Sequence, residues 1–518
     1  MNEGFFCLSG KINDPEMSLK ELKVAFVSDL TGTNLFEVLL GLILPSLCVV
    51  CRGLVLIYSF RRGAATLSWK SLLLMDFSML VASLVLCCTV LSDALHWVVL
   101  SLSAILGMSL FQLYQQRRRY RDQRFKEIVR LFSKTSLEMN RIPFVTVFRV
   151  FVNIMTCIAI LAVDFRIFPR RYAKAETYGT GIMDFGVGAF VFANALVSPE
   201  ARQKSKSIFH SKFTFVAKQF ISVWPLVFLG LARLLSVKGI DYHEHLSEYG
   251  VHWNFFFTLA VVRILSSFLM ALCPVSKTWV LSASIAMIYQ WILETTNLKQ
   301  FILHGSDGKD NRNGFINANR EGLFSVFGYI AIYIAGVQSG LYIMKRRALV
   351  EDWIKMLPFL VLGTVVSWLL LYACEVCIEP VSRKLSNLTF VIWVVGQCFF
   401  FLILYMLADL VLVFAKMLSG VWNVPSSWNN SPELSQSSST CSKSKTSGSV
   451  NACLIEAISR NQLFFFLLSN VLTGVVNLAV DTIHCDAFIS IIVLFLYMFC
   501  NCLVVTVLHI KNITLKFW

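Results

Sequence analysis

The stretch 164–188, which reads DFRIFPRRYAKAETYGTGIMDFGVG, gathers the residue types best suited to chemistry. A neutral Lys174 could act as a general base toward a hydroxyl, whereas a charged Lys174 could stabilise an oxyanion. Asp164 could orient Lys174 or bind substrate hydroxyls or an ammonium group. Arg170 and Arg171 suit phosphate, because a guanidinium matches phosphate geometry. The residues alone do not choose between these roles.

Other polar residues in this stretch and in two later motifs, GVHWNFFF and FINANREG, are candidates for substrate binding. His252 could be a base, or it could anchor the end of a helix beside Trp253. No zinc, P-loop or dinucleotide pattern occurs, so the sequence predicts neither a metal site nor a bound cofactor. The further binding candidates are Glu176, Tyr178, Asp184, His252, Trp253, Asn254, Asn319, Arg320 and Glu321.

These motifs lie between long apolar runs. The chain has 518 residues, of which 56% are hydrophobic and 15% charged, whereas about a quarter of an average soluble protein is charged. Such runs are long enough to cross a bilayer as helices. The pattern predicts an all-α, polytopic membrane protein with about thirteen spans, at 34–60, 71–91, 93–114, 143–163, 184–198, 214–236, 250–270, 278–295, 322–344, 353–374, 386–415, 461–480 and 487–509.

The basic residues predict the orientation of these spans. Connectors on one face carry twice as many Lys and Arg residues as those on the other. The more basic connectors face the cytosol in most membrane proteins. We therefore expect a lumenal N-terminus and a cytosolic C-terminus, with the motif-bearing loops on the lumenal face.

Four regions are predicted along the chain. Residues 1–33 form a lumenal segment with an interfacial helix starting at Met17, and 34–420 form the core with spans 1–11. Residues 421–459 are rich in Ser and are expected to be a disordered cytosolic loop, so that 428–450 should be dispensable. Residues 460–518 contain spans 12 and 13 and a cytosolic tail.

Six separated motifs in order carry a family resemblance. They make the chain resemble the GPI-anchor inositol acyltransferases, the phosphatidylinositol-glycan biosynthesis class W family. Residues 1–16 and 421–459 depart from that pattern. The motifs are ILAVDFRIFPRRYAKAETYGTGIMDFGVGAFVF, SVWPLVFLGLARL, EHLSEYGVHWNFFFTLAVV, FINANREG, AGVQSGLY and LFFFLLSNVLTGVVNLAVDT.

The resemblance implies an endoplasmic-reticulum enzyme. Family members move a long acyl chain, typically palmitoyl, from acyl-CoA to the inositol 2-hydroxyl of glucosaminyl-phosphatidylinositol. The resemblance makes Asp164 and Lys174 the critical pair and acyl-CoA a co-substrate. It also implies contact with membrane lipid and association with other enzymes of GPI biosynthesis, and it gives no role to nucleic acid.

An acyl donor made in the cytosol must reach a lumenal loop, so we expect a cavity for the acyl chain among spans 4–7 and 12. Its predicted lining residues are Phe185, Phe255, Phe256, Asn470 and Asn477. Two other functions fit the sequence: a lipid or solute transporter, and a non-catalytic subunit of a membrane complex. Acyl transfer by the purified chain alone would separate the enzyme from both.

Overall fold

The computed structural model describes residues 26, 28, 30–63, 68–121, 124–138, 141–202, 212–240, 246–273, 277–308, 310–422, 424–429 and 453–515. Within these ranges the regular structure is helical, apart from two isolated β-bridges. The all-α prediction is therefore confirmed for the part of the chain that is described. The interfacial helix predicted from Met17 lies almost entirely outside it.

The helices follow the apolar runs. Each of the thirteen predicted spans overlaps one of them. In chain order they are α1 (Leu35–Arg61), α2 (Trp69–Cys87), α3 (Leu95–Arg121), α4 (Phe125–Ser133), α5 (Pro143–Ala162), α6 (Ile182–Leu196), α7 (Lys212–Ile240), α8 (Leu246–Tyr249), α9 (Phe255–Leu272), α10 (Thr278–Thr295), α11 (Leu298–His304), α12 (Phe315–Ala318), α13 (Arg320–Ile343), α14 (Val350–Cys377), α15 (Leu388–Ser419), α16 (Leu454–Arg460), α17 (Gln462–Ala479) and α18 (Ala487–Ile510).

Among the described residues, ten helices are long and apolar enough to cross a membrane. This confirms a multi-pass membrane protein, while the number of crossings and the orientation stay predictions. Helix α6 has 15 residues. At 1.5 Å per residue it spans about 22 Å, less than the ~30 Å of a hydrocarbon core. Helix α6 alone is therefore too short to cross that core.

Helices α5, α6 and α15 form the centre of the bundle. Phe148 of α5 contacts Phe192 of α6 and Phe401 of α15, with ring centroids 6.4 Å and 5.5 Å away. On α6, a Cβ added at Gly188 would lie 2.6 Å from the side chain of Val394 on α15. The two helices therefore pack closely because this position carries no side chain.

The two ends of the predicted disordered loop 421–459 belong to the core, which corrects that boundary. Trp428 is 2% exposed, and its ring lies 5.0 Å from that of Trp353 on α14. At the other end, α16 is largely buried. Averaging composition over the whole segment concealed these apolar ends. Its central part, 430–452, lies outside the described residues.

A buried ion pair fixes the start of α16. Arg52 of α1 donates to Asp76 of α2 over 2.7 Å, and the backbone N–H of Leu454 donates to the same carboxylate over 3.0 Å. Arg52 also donates to the carbonyl of Pro425. Burying a charge is costly unless it is paired and hydrogen-bonded. These contacts therefore join the chain on both sides of 430–452 to α1 and α2.

Deleting 431–450 is expected to leave the thermal stability of the detergent-solubilised protein unchanged, because the core contacts described above lie outside that segment. Trp428→Ala, in contrast, should destabilise the fold by about 3–5 kcal/mol, the usual cost of emptying a buried tryptophan site. Thermal melts of both variants beside the parent chain test this. Equal melting temperatures for Trp428→Ala and the parent would contradict the assigned burial.

Candidate active site

The loop between α5 and α6, residues 163–181, is held in shape by the chain that precedes α1. The backbone N–H of Thr33 donates to the Thr180 carbonyl over 2.7 Å, and that of Glu176 donates to the Leu30 carbonyl over 2.9 Å. Gly179 has a φ of 139°, and a Cβ there would overlap the Thr31 carbonyl. A glycine is needed at this close approach. We call this segment the α5–α6 loop.

Lys174 points from the α5–α6 loop to a carboxylate on α8. Its Nζ donates to both oxygens of Glu248, over 2.7 Å and 2.6 Å. Lys174 is 27% exposed and Glu248 is 19% exposed. The pair is therefore desolvated in part but still open on one side. Such a charge-assisted, doubly hydrogen-bonded contact is stronger than an exposed surface pair.

Asp164 lies at the C-terminal end of α5 and receives a hydrogen bond from α17. The Asn477 side-chain amide donates to Asp164 Oδ2 over 2.7 Å, and it also donates to the Thr473 carbonyl of its own helix. The second bond fixes the direction of the amide. The structure thus brings together two predicted site residues from distant spans.

Asp184, at the start of α6, is fully buried, and both of its carboxylate oxygens accept hydrogen bonds from the protein itself. Its Oδ2 accepts the backbone N–H groups of Ala175 and Gly181, and its Oδ1 accepts Arg383 Nε over 2.6 Å. Arg383 is also within electrostatic reach of Glu248. Although burial opposes its charge, these carboxylates raise the pKa of the Arg383 guanidinium. The four charged groups Lys174, Glu248, Arg383 and Asp184 form what we call the charge cluster.

Arg170 folds back onto its own loop. Its guanidinium donates to the carbonyls of Phe165 and Phe168 and lies 4.0 Å from the ring centroid of Phe26. Burial lowers the pKa of Arg170 to about 10, against the opposing effect of Asp164. These contacts give Arg170 a part in shaping the α5–α6 loop beside Asp164, in addition to any contact with substrate.

Arg171 ties the same loop to two earlier segments. Its Nε donates to Glu37 of α1 over 2.8 Å, and its terminal nitrogen donates to Asp93 over 2.6 Å. The neighbouring Tyr172 hydroxyl donates to the same Glu37 oxygen over 2.6 Å. Arg171 remains 38% exposed. Of the two arginines predicted to hold phosphate, it is thus the one engaged by acidic side chains.

Tyr178 connects the loop to the connector after α14. Its hydroxyl donates to Glu379 over 3.2 Å, and Lys299 of α11 pairs with that carboxylate over 2.6 Å. Burial, followed by the Glu379 charge, raises the pKa of Tyr178. Glu176, the other candidate here, is half-buried, and its backbone joins the N-terminal segment.

The GVHWNFFF motif builds the turn between α8 and α9. Asn254 is the N-cap of α9: its Oδ1 accepts the N–H groups of Phe256 and Phe257. Trp253 donates to Thr258 of the same helix over 2.9 Å. The backbone N–H of His252 donates to Asn319 Oδ1 over 2.7 Å. The predicted residues of this motif therefore position the turn that follows Glu248.

The FINANREG motif is buried from Asn317 onward, whereas Phe315 and Ile316 are exposed, and it joins the polar connector before it. Arg320, fully buried, donates to the carbonyls of Ile302 and Asn317 and pairs with Asp310. Glu321, also fully buried, accepts Arg312 over 2.8 Å. These contacts pair both charges with residues of α11 and of the connector 305–319, so they hold the connector that Asn319 links to the α8–α9 turn.

Comparison with known proteins decides the family. A family model described as GWT1 matches residues 19–508. The glucosaminyl-phosphatidylinositol-acyltransferase PIGW of Bos taurus is 46% identical over 512 residues, covering 97% of this chain and 100% of the relative. The Homo sapiens protein of the same name is 44% identical over 515 residues, with coverages of 97% and 100%.

The chain belongs to the GWT1 family. This confirms the family resemblance carried by the six motifs. A more distant relative, GPI-anchored wall transfer protein 1 of Aspergillus fumigatus, is 34% identical over 530 residues, covering 96% of this chain and 99% of that protein. The similarity therefore extends over nearly the whole length of animal and fungal members alike.

In this GWT1-family chain, aromatic rings join α6, α9 and α17 below the α5–α6 loop. Phe190 of α6 contacts Phe255 and Phe466, with centroids 5.6 Å and 5.7 Å away, and Phe256 contacts Phe466 at 6.1 Å. Asn470 of α17 donates to the Phe466 carbonyl. Two of the predicted lining residues, Phe256 and Asn470, thus meet Phe466, and a third, Phe255, reaches it through Phe190.

Phe185 lies apart from that group. It is 3% exposed and contacts Trp393 and Phe401 of α15, with centroids 6.1 Å and 6.5 Å away. Its place is in the central packing between α6 and α15. It therefore supports α6 from the side of α15, whereas Phe256 contacts α17 and Phe255 contacts α6 through Phe190.

Two charged residues of the GWT1-family site escaped the sequence reasoning. Glu248 and Arg383 reach the charge cluster from connectors far from the α5–α6 loop in sequence. Neither residue shows a spacing that marks it. The available signal was their position in the connectors EHLSEYG and EPVSRKLSN, which are polar, lie next to spans and are predicted to be lumenal.

Proposed function

We propose that this chain transfers a long-chain acyl group from acyl-CoA to the inositol 2-hydroxyl of glucosaminyl-phosphatidylinositol. The printed names of the animal relatives support the acyl acceptor and the reaction class. The observation that carries the proposal is the α5–α6 loop, where Asp164 and Lys174 are each held by a side chain from another element. The proposed donor is acyl-CoA, whose thioester carbonyl is the group that the inositol hydroxyl attacks.

The reaction needs a base and a stabiliser of negative charge. The hydroxyl oxygen attacks the thioester carbonyl as its proton leaves, and the carbonyl oxygen becomes an oxyanion. The C–S bond then breaks, and the CoA thiolate takes up a proton. The products are an inositol ester and CoA-SH, so the proton passes in effect from the hydroxyl to the sulfur.

We assign stabilisation of the oxyanion to Lys174 and removal of the hydroxyl proton to Asp164. A lysine that donates to both oxygens of Glu248 is held as an ammonium donor, which supports the stabilising role over the base role. Asp164 is a carboxylate oriented by Asn477, and it can accept the hydroxyl proton and pass it to the leaving sulfur. The bond from Asn477 makes it a positioning residue for that carboxylate.

The acyl chain is assigned to the aromatic region bounded by Phe190, Phe255, Phe256 and Phe466. These rings lie on α6, α9 and α17; α6 follows the α5–α6 loop directly, and α17 carries Asn477, which donates to Asp164. Aromatic and aliphatic walls suit a long hydrocarbon chain.

The test uses the purified chain in detergent or liposomes, with radiolabelled palmitoyl-CoA and glucosaminyl-phosphatidylinositol. We expect label in the glycolipid and release of free CoA in equal amounts. Movement of unmodified glycolipid across the liposome membrane without use of palmitoyl-CoA would replace this proposal by a transporter. Label transfer that requires a second protein would make the chain a subunit.

We further propose that the chain resides in the endoplasmic-reticulum membrane with its active loops in the lumen. The excess of basic residues on the opposite connectors supports this orientation. Terminal epitope tags should test it after selective permeabilisation of the plasma membrane. The C-terminal tag should be accessible at once, and the N-terminal tag only after the internal membranes are opened. The reverse order would contradict the orientation.

A further inference from the structure

The charge cluster contains two carboxylates, and their surroundings differ. Asp184 is fully buried and is used by Arg383 and by two backbone N–H groups. Glu248 is 19% exposed and faces the partly exposed Lys174. An ionised carboxylate offers about four acceptor positions. Glu248 can therefore accept from a second cation that approaches from the exposed side while it keeps a bond to Lys174.

The turn that carries Glu248 is fixed from outside the charge cluster. Gly250 has a φ of 100°, and a Cβ there would overlap the Ala318 carbonyl. The backbone N–H of Val251 donates to that same carbonyl over 3.0 Å, and Asn319 accepts from His252. The carboxylate is thus presented by a backbone that α12 and α13 hold in place, as a recognition group requires.

The charges of the cluster match the acceptor. Lys174 and Arg383 balance Glu248 and Asp184, so the cluster is neutral as a whole. The headgroup of glucosaminyl-phosphatidylinositol carries an ammonium on its sugar and a phosphate on its inositol. A compact ammonium is the kind of group that Glu248 already binds in Lys174. We propose that Glu248 is the binding site for the glucosamine ammonium of the acceptor.

This inference rests on the proposed function, and it explains why the inositol oxygen is acylated rather than the glucosamine nitrogen. An amine is a better nucleophile than a hydroxyl, so a free glucosamine nitrogen would compete for the acyl group. A carboxylate that accepts hydrogen bonds from the ammonium favours the protonated form, which has no lone pair for attack. Glu248 therefore binds the sugar and also directs acylation to the inositol oxygen.

The ammonium also alters the surroundings of Lys174. When a second cation binds the Glu248 carboxylate, it can replace one of the two hydrogen bonds from Lys174, which releases one N–H of the Lys174 ammonium. The Lys174 ammonium can then direct a proton toward the carbonyl oxygen of the donor. Binding of the correct acceptor thus frees the group that stabilises the oxyanion.

The test compares two acceptors with the full-length chain in detergent micelles. One is a short-chain glucosaminyl-phosphatidylinositol, and the other is its analogue with the amino group replaced by hydroxyl. We expect the parent chain to bind the amino compound about 10–100-fold more tightly, the usual range for a charge-assisted hydrogen bond. Glu248→Gln should bind both compounds with similar Kd values, and Glu248→Asp should restore part of the preference.

A second readout is the position of the acyl group in the product. Glu248→Gln should increase the fraction of product acylated on nitrogen, a change that a purely structural role would not cause. Asp481→Asn is the control, because Asp481 pairs with His484 over 2.8 Å in another connector. In that variant, the ratio of the Kd values for the two acceptors and the ratio of N-acylated to O-acylated product should both equal those of the parent chain.

Equal binding of the two acceptors by the parent chain would overturn the inference even if Glu248→Gln failed to fold. An unchanged binding preference in a folded Glu248→Gln variant would overturn it as well. Neither result would touch the proposed function, which fails only if the parent chain transfers no acyl group to the inositol. The two proposals can therefore fail separately.

Discussion

Asp164→Asn is expected to lower the rate of acyl transfer by about 10²–10⁴-fold, the usual contribution of a general base. The substitution keeps the size of the side chain and leaves an oxygen that can still accept from Asn477. It removes the charge that would take the hydroxyl proton. Single-turnover rates with bound palmitoyl-CoA measure the effect on the chemical step.

The control for Asp164 is Asn477→Ala, which removes the orienting amide but keeps the carboxylate. We expect it to lower the rate by about tenfold, within the effect of a lost charge-assisted hydrogen bond. Melting temperatures of both variants close to that of the parent would separate chemistry from folding. A rate for Asp164→Asn within threefold of the parent would remove Asp164 from the proton-transfer step.

Lys174→Met is expected to lower the rate by about 10²–10³-fold, the loss found when one oxyanion donor is removed. Methionine approximates the length of the lysine side chain but carries neither donor nor charge. Lys174→Arg should retain a measurable part of the activity, because a guanidinium still donates and can still pair with Glu248. Initial rates at saturating palmitoyl-CoA compare the two variants.

The arginine variant decides between the two roles open to Lys174. A guanidinium stays protonated and cannot serve as a base. If Lys174→Arg were as inactive as Lys174→Met while both were folded, Lys174 would be the base after all. The Glu248 pair would then have to be broken before catalysis, and the assignment of the proton to Asp164 would be wrong.

The helices could be predicted from sequence because each apolar run is long and ends at polar or glycine-rich residues. The predicted starts at Pro143, Thr278 and Ala487 coincide with helix starts in the structure. The meeting of Asp164 with Asn477 could also have been predicted, because both residues stand at ends of their predicted spans that the basic-residue pattern assigns to the same face. Hydrophobic length and orientation suffice for that level of description.

The charge cluster could not be predicted in the same way. Glu248 meets Lys174, and Arg383 meets Asp184, only because tertiary packing brings three connectors together. Hydrophobic pattern and residue spacing predict individual helices, and they do not predict contacts between residues in distant connectors. The same limit applies to Trp428, whose burial depends on contacts with α14 rather than on the Ser-rich composition around it.

Several polar residues that the sequence predicted to bind substrate make different local contacts in the structure. Asn254 is an N-cap, Asn319 holds the α8–α9 turn, and Arg320 binds the carbonyls of its own connector. A residue type alone cannot distinguish a substrate ligand from a group that satisfies buried backbone. Polar groups of both kinds are expected near the membrane, where unsatisfied backbone is costly.

The most direct test of the account is the position of the acyl group in the product made by the purified chain from palmitoyl-CoA and glucosaminyl-phosphatidylinositol. Tandem mass spectrometry of the purified product separates the inositol phosphate fragment from the glucosamine fragment. The account predicts the added palmitoyl mass on the inositol fragment, in an amount that Lys174→Met and Asp164→Asn nearly abolish. Palmitoyl on the glucosamine nitrogen, or no product from the purified chain, would contradict it.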